Sequence, residues 1–121
     1  MRVLVTGGAG YIGSVVTEKL LAAGHEAVVY DNLSKGHRNA VVREAEFFKG
    51  DIRDRDTLRT VLVEQRVEAV IHLAADSLVG ESVTQPAKYF HNNLYGGMVL
   101  LNAMLESDVK RIVFSSTAAV Y

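Results

Sequence analysis

Short apolar segments rich in β-branched residues recur along the chain and alternate with segments of helical periodicity. In the short segments, apolar residues occur in runs and do not alternate with polar residues. This pattern is typical of strands that are covered on both faces, as in a parallel sheet. The sequence therefore predicts five strands, at residues 2–6, 26–30, 45–49, 67–73 and 109–114.

Two of the intervening segments carry apolar residues at steps of three and four, the spacing of a buried helix face. The first helix is predicted over 12–23, and Gly24 follows it as a C-terminal cap. The second helix is predicted to begin after Asp54, because an Asp side chain accepts hydrogen bonds from the first free amides of a helix. The apolar residues that it should bury are Leu58, Val61 and Leu62.

A third helix is predicted from about Thr84 to about Glu106, with Pro86 in its first turn. Gly96 and Gly97 interrupt it, at a cost of about 1 kcal/mol for each glycine. That cost predicts a close crossing against the sheet or another helix. Residues 31–44 begin with polar residues and hold a glycine, so they are predicted to form a loop with one short helical turn.

The order of the elements predicts the fold. Strands that alternate with helices, joined by right-handed crossovers, form an α/β doubly wound parallel sheet, most simply with five strands in the order 3-2-1-4-5. The length of 121 residues corresponds to one domain, 1–121. The order reverses between strands 1 and 4, which leaves a crevice at the carboxyl ends of the strands. Ligands bind at such crevices.

Composition excludes several functional classes. With 13 basic and 14 acidic residues the net charge is −1, which disfavours nucleic acid as a partner. No apolar run reaches the roughly 20 residues of a membrane span, and the start of the chain lacks a signal-peptide pattern, so we expect a cytoplasmic protein without a membrane partner. The chain contains no cysteine. Its four histidines show no metal-ligand spacing, and His72, inside an apolar strand, is predicted to be a core residue.

A glycine-rich segment, TGGAGYIG at 6–13, joins the first strand to the first helix. It fits G-x-G-x-x-G from Gly8 and G-x-x-G-x-x-G from Gly7. In such a motif one glycine permits a tight turn, one lets the backbone approach a pyrophosphate, and one allows the helix to pack closely on the strand. The amides and the dipole at the helix start then hold the diphosphate. The alternative is a purely structural turn.

The second strand is followed by Asp31, 18 residues after Gly13. A carboxylate at this place accepts hydrogen bonds from the adenosine ribose hydroxyls and repels a 2′-phosphate, so NAD is the expected cofactor rather than NADP. Lys35 and Arg38 lie in the following loop. They either reach a phosphate or are solvated loop charges, and we favour the second interpretation.

Other strand ends also face the predicted crevice. Asp51 of Gly50-Asp51-Ile52 either accepts a hydrogen bond from the adenine amino group or stabilises a turn. The small residues of 73–75 either lie against a flat ligand or allow close packing. The hydroxyls of 115–117 either bind a substrate oxygen or cap the strand.

Several stretches together resemble the extended short-chain dehydrogenase/reductase family, and most closely the amino-terminal part of its UDP-glucose 4-epimerase branch. The resemblance covers essentially the whole chain in register, and DNLSKG and LVGES are more specific than the glycine turn. The stretches are TGGAGYIGS at 6–14, YDNLSKGHR at 30–38, GDIRD at 50–54, IHLAADSLVGES at 71–82, YFHNN at 89–93 and VFSSTAAVY at 113–121.

This resemblance implies a reaction in which hydride is removed from C4 of a UDP-hexose by NAD and returned to the other face of the sugar. It places Thr117 at the catalytic Ser/Thr position, where it hydrogen-bonds the sugar 4-hydroxyl. It also implies a set of residues around NAD: Gly7, Gly10, Tyr11, Ile12, Gly13, Asp31, Asn32, Asp51, Ile52, Leu73, Ala74, Ala75, Asn92 and Ser115.

The sequence departs from the family pattern at two points. Ser77 stands where some members carry a lysine near the cofactor phosphates. The catalytic Tyr-x-x-x-Lys pair does not occur within the 121 residues, since no tyrosine has lysine four residues later. We therefore expect a cofactor-binding part that is inactive alone. The alternatives are another sugar-nucleotide dehydratase or reductase of the same superfamily, and a non-catalytic NAD-binding module.

The third helix resembles one that packs in a homodimer interface of the family. Its residues Leu94, Met98, Leu101 and Leu105 then contact a second copy, and the alternative is packing on the sheet of their own chain. Strand 5 is expected to be an open edge of the sheet, and one sheet face is expected to be uncovered near strands 4 and 5. Both features also favour self-association.

Overall fold

The computed structural model describes residues 1–32, 43–73 and 95–114. Within these ranges the chain forms five strands and three helices. They are β1 (Arg2–Thr6), α1 (Tyr11–Ala22), β2 (Glu26–Asp31), β3 (Glu46–Lys49), α2 (Arg55–Glu64), β4 (Ala69–His72), α3 (Gly96–Glu106) and β5 (Arg111–Phe114).

The five strands form one parallel sheet in the order β3-β2-β1-β4-β5, which confirms the predicted topology. Thr6 at the end of β1 pairs in register with Tyr30 of β2 on one side and with His72 of β4 on the other. The carboxyl ends of the three central strands therefore lie at the same edge of the sheet. The reversal of strand order between β1 and β4 falls at this edge, as the sequence predicts.

Continuous apolarity in the strands is explained by helices on both faces of the sheet. One face packs against α2 and α3 around Leu4, Val28 and Val70, all fully buried. The other face packs against the glycine turn and α1 around Val29. Because successive strand residues point to opposite faces, a strand covered on both sides must be apolar at nearly every position.

Local signals placed the first two helices correctly. Gly24 has φ of +89°, and the amides of Gly24 and His25 donate to the carbonyls of Leu21 and Leu20 at 3.1 and 3.0 Å. This is the hydrogen-bond pattern of a glycine C-terminal cap, as predicted. Asp54 accepts from the Thr57 amide at 3.2 Å, which confirms it as the N-cap of α2.

Strands β4 and β5 are shorter than predicted, and the difference has a physical reason. Val67 and Val109 close the ends of α2 and α3, because their amides donate to the carbonyls of Leu62 and Met104 at 3.1 and 2.9 Å. Both valines are buried. An apolar residue two positions past a helix cap packs back on the last turn, so here it belongs to the helix end and not to the strand.

The described part of the third helix ends at Glu106 as predicted, and its predicted first part lies outside the described residues. A methyl group built on Gly96 would lie 2.8 Å from Cγ2 of Ile52, so the helix has a close neighbour at this position as predicted; that neighbour is the connection between β3 and α2, not the sheet or another helix. The same construction on Gly97 meets no described atom within 4 Å, so at Gly97 the close crossing stays a prediction.

Candidate functional site

The turn between β1 and α1 folds back over the ends of β1 and β2. Gly7 has φ of +75°, a conformation that a side chain disfavours. Its amide donates to the carbonyl oxygen of Tyr30 at 2.9 Å, and the amide of Gly10 donates to the Gly7 carbonyl at 3.2 Å. The turn, which directly follows β1, is therefore hydrogen-bonded to β2 before the helix begins.

Glycines 8 and 13 let the start of α1 approach the strands closely. A methyl on Gly13 would lie 2.2 Å from the Gly7 carbonyl oxygen and 2.6 Å from the Cα of Gly8. A methyl on Gly8 would lie 2.7 Å from Cγ1 of Val29 in β2. At Gly10 the nearest described atom would be 3.5 Å away, an ordinary contact. Packing thus requires the glycines at 8 and 13, whereas packing among the described residues does not explain the one at 10.

The first turn of α1 offers amide groups to the crevice. A helix leaves its first amides without intrahelical partners, and the N-cap residue Gly10 has no side chain to satisfy them. No acidic side chain lies in this turn, and the side chains of Tyr11 and Ile12 are exposed. Among the described residues, no side chain hydrogen-bonds to these amides, and the positive end of the helix dipole there favours an anion such as a diphosphate.

Asp31, the last residue of β2, is attached directly to the glycine turn. Its Oδ2 accepts a hydrogen bond from the amide of Ala9 at 2.9 Å, and the residue is buried. The structure thus brings together the two features that the sequence singled out for an adenosine diphosphate. Asn32 follows Asp31 and is exposed.

At the end of β3, Asp51 forms a local turn with Arg53. The Asp51 carboxylate accepts from the Arg53 amide and from Nη2 at 2.8 Å each, and from Nε at 3.0 Å. Hydrogen bonds from the Arg53 side chain hold the pKa of Asp51 below its ordinary value. The structure therefore shows the turn role for Asp51, and contact with adenine stays a prediction.

Tyr30 holds the loop that carries Asp51 against the sheet. Its hydroxyl donates to the Asp51 carbonyl oxygen at 2.8 Å, and burial raises the pKa of that hydroxyl. Gly50 makes the approach possible, because a methyl there would lie 2.4 Å from the Tyr30 hydroxyl oxygen. Sequence reasoning did not find this contact, since an aromatic residue inside an apolar strand is typical of a core position.

Thr6 and His72 meet at the reversal point between β1 and β4. Thr6 Oγ1 and His72 Nδ1 are 2.6 Å apart, and the two residues are 0% and 3% exposed. The amide of Leu73 donates to the carbonyl oxygen of Thr6 at 2.9 Å and to its Oγ1 at 3.1 Å. His72 is thus a hydrogen-bonded core histidine, as predicted. Sequence reasoning missed its partner Thr6, because only the strand register brings them together.

The remaining candidate residues lie outside the described residues. They are Ala74, Ala75, Asn92, Ser115 and Thr117, together with Lys35, Arg38 and Ser77.

Substitution of Gly13 should lower the free energy of unfolding far more than substitution of Gly10. Gly13→Ala places a methyl against backbone atoms that cannot move independently, so we expect a loss of about 3 kcal/mol or more in the free energy of unfolding. Gly10→Ala, the matched control, should lose about 1 kcal/mol or less, the cost of a poorer N-cap. Urea unfolding of both variants measures the difference, and equal stability would contradict the packing argument.

His72 should make stability depend on pH in the acidic range. Burial lowers its pKa from 6.5 to about 4, so between these values the unfolded chain binds a proton that the folded chain does not. The free energy of unfolding should therefore be constant above about pH 6.5 and fall by about 3 kcal/mol toward pH 4. Urea unfolding across this pH range measures the effect, and His72→Asn, which lacks a titrating ring, is the control. If the free energy of unfolding fell equally with pH in both proteins, the pH dependence would not come from His72.

Comparison with known proteins agrees with these observations. Residues 3–121 match the model of the NAD dependent epimerase/dehydratase family. The chain is 54% identical, over its whole length, to a UDP-glucose 4-epimerase of Halalkalibacterium halodurans, of which it covers 36%. It thus spans about a third of the length of that curated relative.

Two solved structures share the fold closely. The UDP-glucose 4-epimerase from Brucella ovis, in complex with NAD, has a TM-score of 0.92 at 47% identity; the match covers 95% of this chain and 35% of that one. The enzyme from Bifidobacterium longum, in complex with NAD⁺ and UDP, has a TM-score of 0.92 at 38% identity, covering 100% and 38%. Together with the glycine turn and its attached carboxylate, these matches show that the chain belongs to the NAD dependent epimerase/dehydratase family.

Proposed function

We propose that this chain supplies the NAD-binding part of a UDP-hexose 4-epimerase of the UDP-glucose/UDP-galactose type. One observation carries the proposal: the Asp31 carboxylate is hydrogen-bonded to the same glycine turn whose helix amides face the crevice. This arrangement suits a ligand that has a diphosphate beside an unphosphorylated ribose. The family match and the relatives that are 4-epimerases support it further.

The described residues fit such a dinucleotide. The amides of the turn and of the first turn of α1 would hold the diphosphate, and Gly10 leaves room above the Gly7 carbonyl. Asp31 would accept from the ribose hydroxyls, and Asp51 and Ile52 would lie at the adenine. When bound, NAD supplies a hydride acceptor for C4 of the sugar. Leu73, Ala74, Ala75, Asn92 and Ser115 complete the proposed contacts.

In the proposed reaction, Thr117 hydrogen-bonds the sugar 4-hydroxyl, which must lose its proton as the hydride leaves. That step demands a general base with a pKa near neutrality. The family's Tyr-x-x-x-Lys pair, which would supply it, does not occur within these 121 residues. We therefore propose that these residues alone bind the cofactor without turnover. Epimerisation of UDP-galactose by the purified 121-residue chain would contradict this.

Substitution of Asp31 tests the cofactor assignment. Asp31→Asn keeps an acceptor for the Ala9 amide but removes the charge, so affinity for NAD should fall about 10- to 100-fold, the effect of weakening charge-assisted hydrogen bonds. Affinity for NADP should rise relative to NAD, because the repulsion of its 2′-phosphate is gone. Calorimetric titration with both cofactors measures the ratio.

The control for Asp31→Asn is Glu18→Gln, the same loss of charge at an exposed position of α1. It should leave the NAD/NADP affinity ratio unchanged. An Asp31→Asn protein with the ratio of the original chain would contradict the role of this carboxylate.

We also propose that the protein self-associates as a homodimer through α3. Met98, Leu101 and Leu105 are 55%, 41% and 74% exposed and follow one another at steps of three and four, so they form one apolar row. Their neighbours Leu100 and Met104 are buried in the core. The exposed row supports contact with a second copy over packing on the sheet of its own chain, and Leu94 lies outside the described residues.

A charge in this row should prevent association. Light scattering at micromolar concentration should give twice the mass of one chain for the original protein and a single-chain mass for Leu105→Lys. Val15→Lys adds the same charge at a 41% exposed position of α1, on the opposite sheet face, and should remain dimeric. A monomeric original protein, or a dimeric Leu105→Lys variant, would refute the proposed interface.

Within the described residues, no helix has the length and apolar character needed to span a membrane.

A further inference from the structure

The buried residues Thr6 and His72 lie side by side at the carboxyl ends of β1 and β4, where the strand order reverses. Thr6 is the last residue of β1 and directly precedes the glycine turn, and His72 is the last residue of β4 and directly precedes Leu73. The two residues are partners in register, at the last described pair of the β1–β4 ladder. Each therefore directly precedes a residue, Gly7 or Leu73, that the proposed function assigns to the cofactor.

The hydrogen bonds hold the Thr6 side chain from two sides. Its Oγ1 lies 2.6 Å from His72 Nδ1 and also accepts from the Leu73 amide at 3.1 Å. The bond between the hydroxyl and the ring forms with either atom as the donor, according to the ring tautomer. Burial lowers the pKa of His72 to about 4, so the ring is neutral at neutral pH. The hydroxyl and the carbonyl of Thr6 thus both hold the Leu73 amide, and the ring holds the hydroxyl in place.

We propose that Thr6 and His72 are positioning residues that lock the glycine turn to Leu73 at the end of β4, and so set the affinity for the nicotinamide half of the cofactor. The inference rests on the proposed NAD-binding function. On the other side, the glycine turn is already fastened to β2 by the bonds from Gly7 to Tyr30 and from Ala9 to Asp31. The bonds around Thr6 supply the corresponding attachment toward β4.

The position of the lock determines which part of the ligand it affects. A dinucleotide lies across the reversal point of a doubly wound sheet, with its adenosine on the side of β2 and its other half beyond β4. The adenosine side has its own attachment through Asp31. Loss of the lock should therefore weaken ligands that cross to the β4 side and spare those that stop before it.

The test compares Thr6→Val with Thr6→Ser. Valine keeps the shape but removes the hydroxyl that hydrogen-bonds to His72 Nδ1, whereas serine keeps the hydroxyl. Loss of a buried hydrogen bond predicts that Thr6→Val binds NAD about 10-fold more weakly, whereas AMP binds within about twofold of the original protein. Thr6→Ser should bind both ligands nearly as the original chain does.

A purely structural role would give a different result. If the pair only stabilised the sheet, Thr6→Val would lower the midpoint of thermal unfolding while changing NAD and AMP affinities by the same factor, or neither of them, well below that midpoint. Either outcome would refute the proposed positioning role of Thr6 and His72. Absence of NAD binding by the original protein overturns the proposed function itself, and the inference with it, so the two failures are distinguishable.

A second pair of variants covers the case in which Thr6→Val does not fold. His72→Asn retains a side-chain amide, which both donates and accepts hydrogen bonds, near the place of Nδ1, and His72→Leu has a similar size without a polar group. The lock predicts that His72→Leu loses NAD affinity and keeps AMP affinity, and that His72→Asn restores most of the NAD affinity. Equal NAD affinity in the two variants would refute it.

Discussion

The close approach of the first turn of α1 to the end of β1 is the constraint on which the rest of the site depends. The Gly7 carbonyl oxygen and the Cα of Gly8 occupy the space in which a side chain at position 13 would begin. Because the backbone itself fills that space, the helix starts directly over the strand ends, and its first amides open into the crevice. Asp31 then reaches the turn with one hydrogen bond, which sets a carboxylate beside those amides.

Two residues at the crevice do not follow the apolar pattern of the rest of the sheet. The interior of a parallel sheet covered on both faces is apolar, yet β1 and β4 end in a threonine and a histidine that are almost completely buried. Their mutual hydrogen bond and the bond from the Leu73 amide satisfy these groups. Polar residues placed in a core at such a cost are typical of positions that serve a site, and here they lie between the two segments proposed to contact the cofactor.

Most of the fold was predictable because its signals are local. Continuous apolar runs indicated covered parallel strands, and Gly24 and Asp54 each act within one helix turn of their own position. The ends of α2 and α3 were less predictable, since Val67 and Val109 suit a strand as well as a helix end by residue type alone. The site showed the same division: the glycine turn and Asp31 follow from sequence spacing, whereas the Thr6–His72 and Tyr30–Asp51 contacts depend on strand register and loop position.

The central claim is that the amides at the start of α1, together with Asp31, form the binding surface for an adenosine diphosphate. Amide chemical-shift mapping by nuclear magnetic resonance during titration with ADP-ribose tests this most directly. The account predicts that the largest shifts fall at residues 7–13 and at the end of β2, with little change at the opposite edge of the sheet around Arg2 and Glu68. Shifts concentrated at that opposite edge, or unchanged amides at 7–13 at saturating ligand, would contradict it.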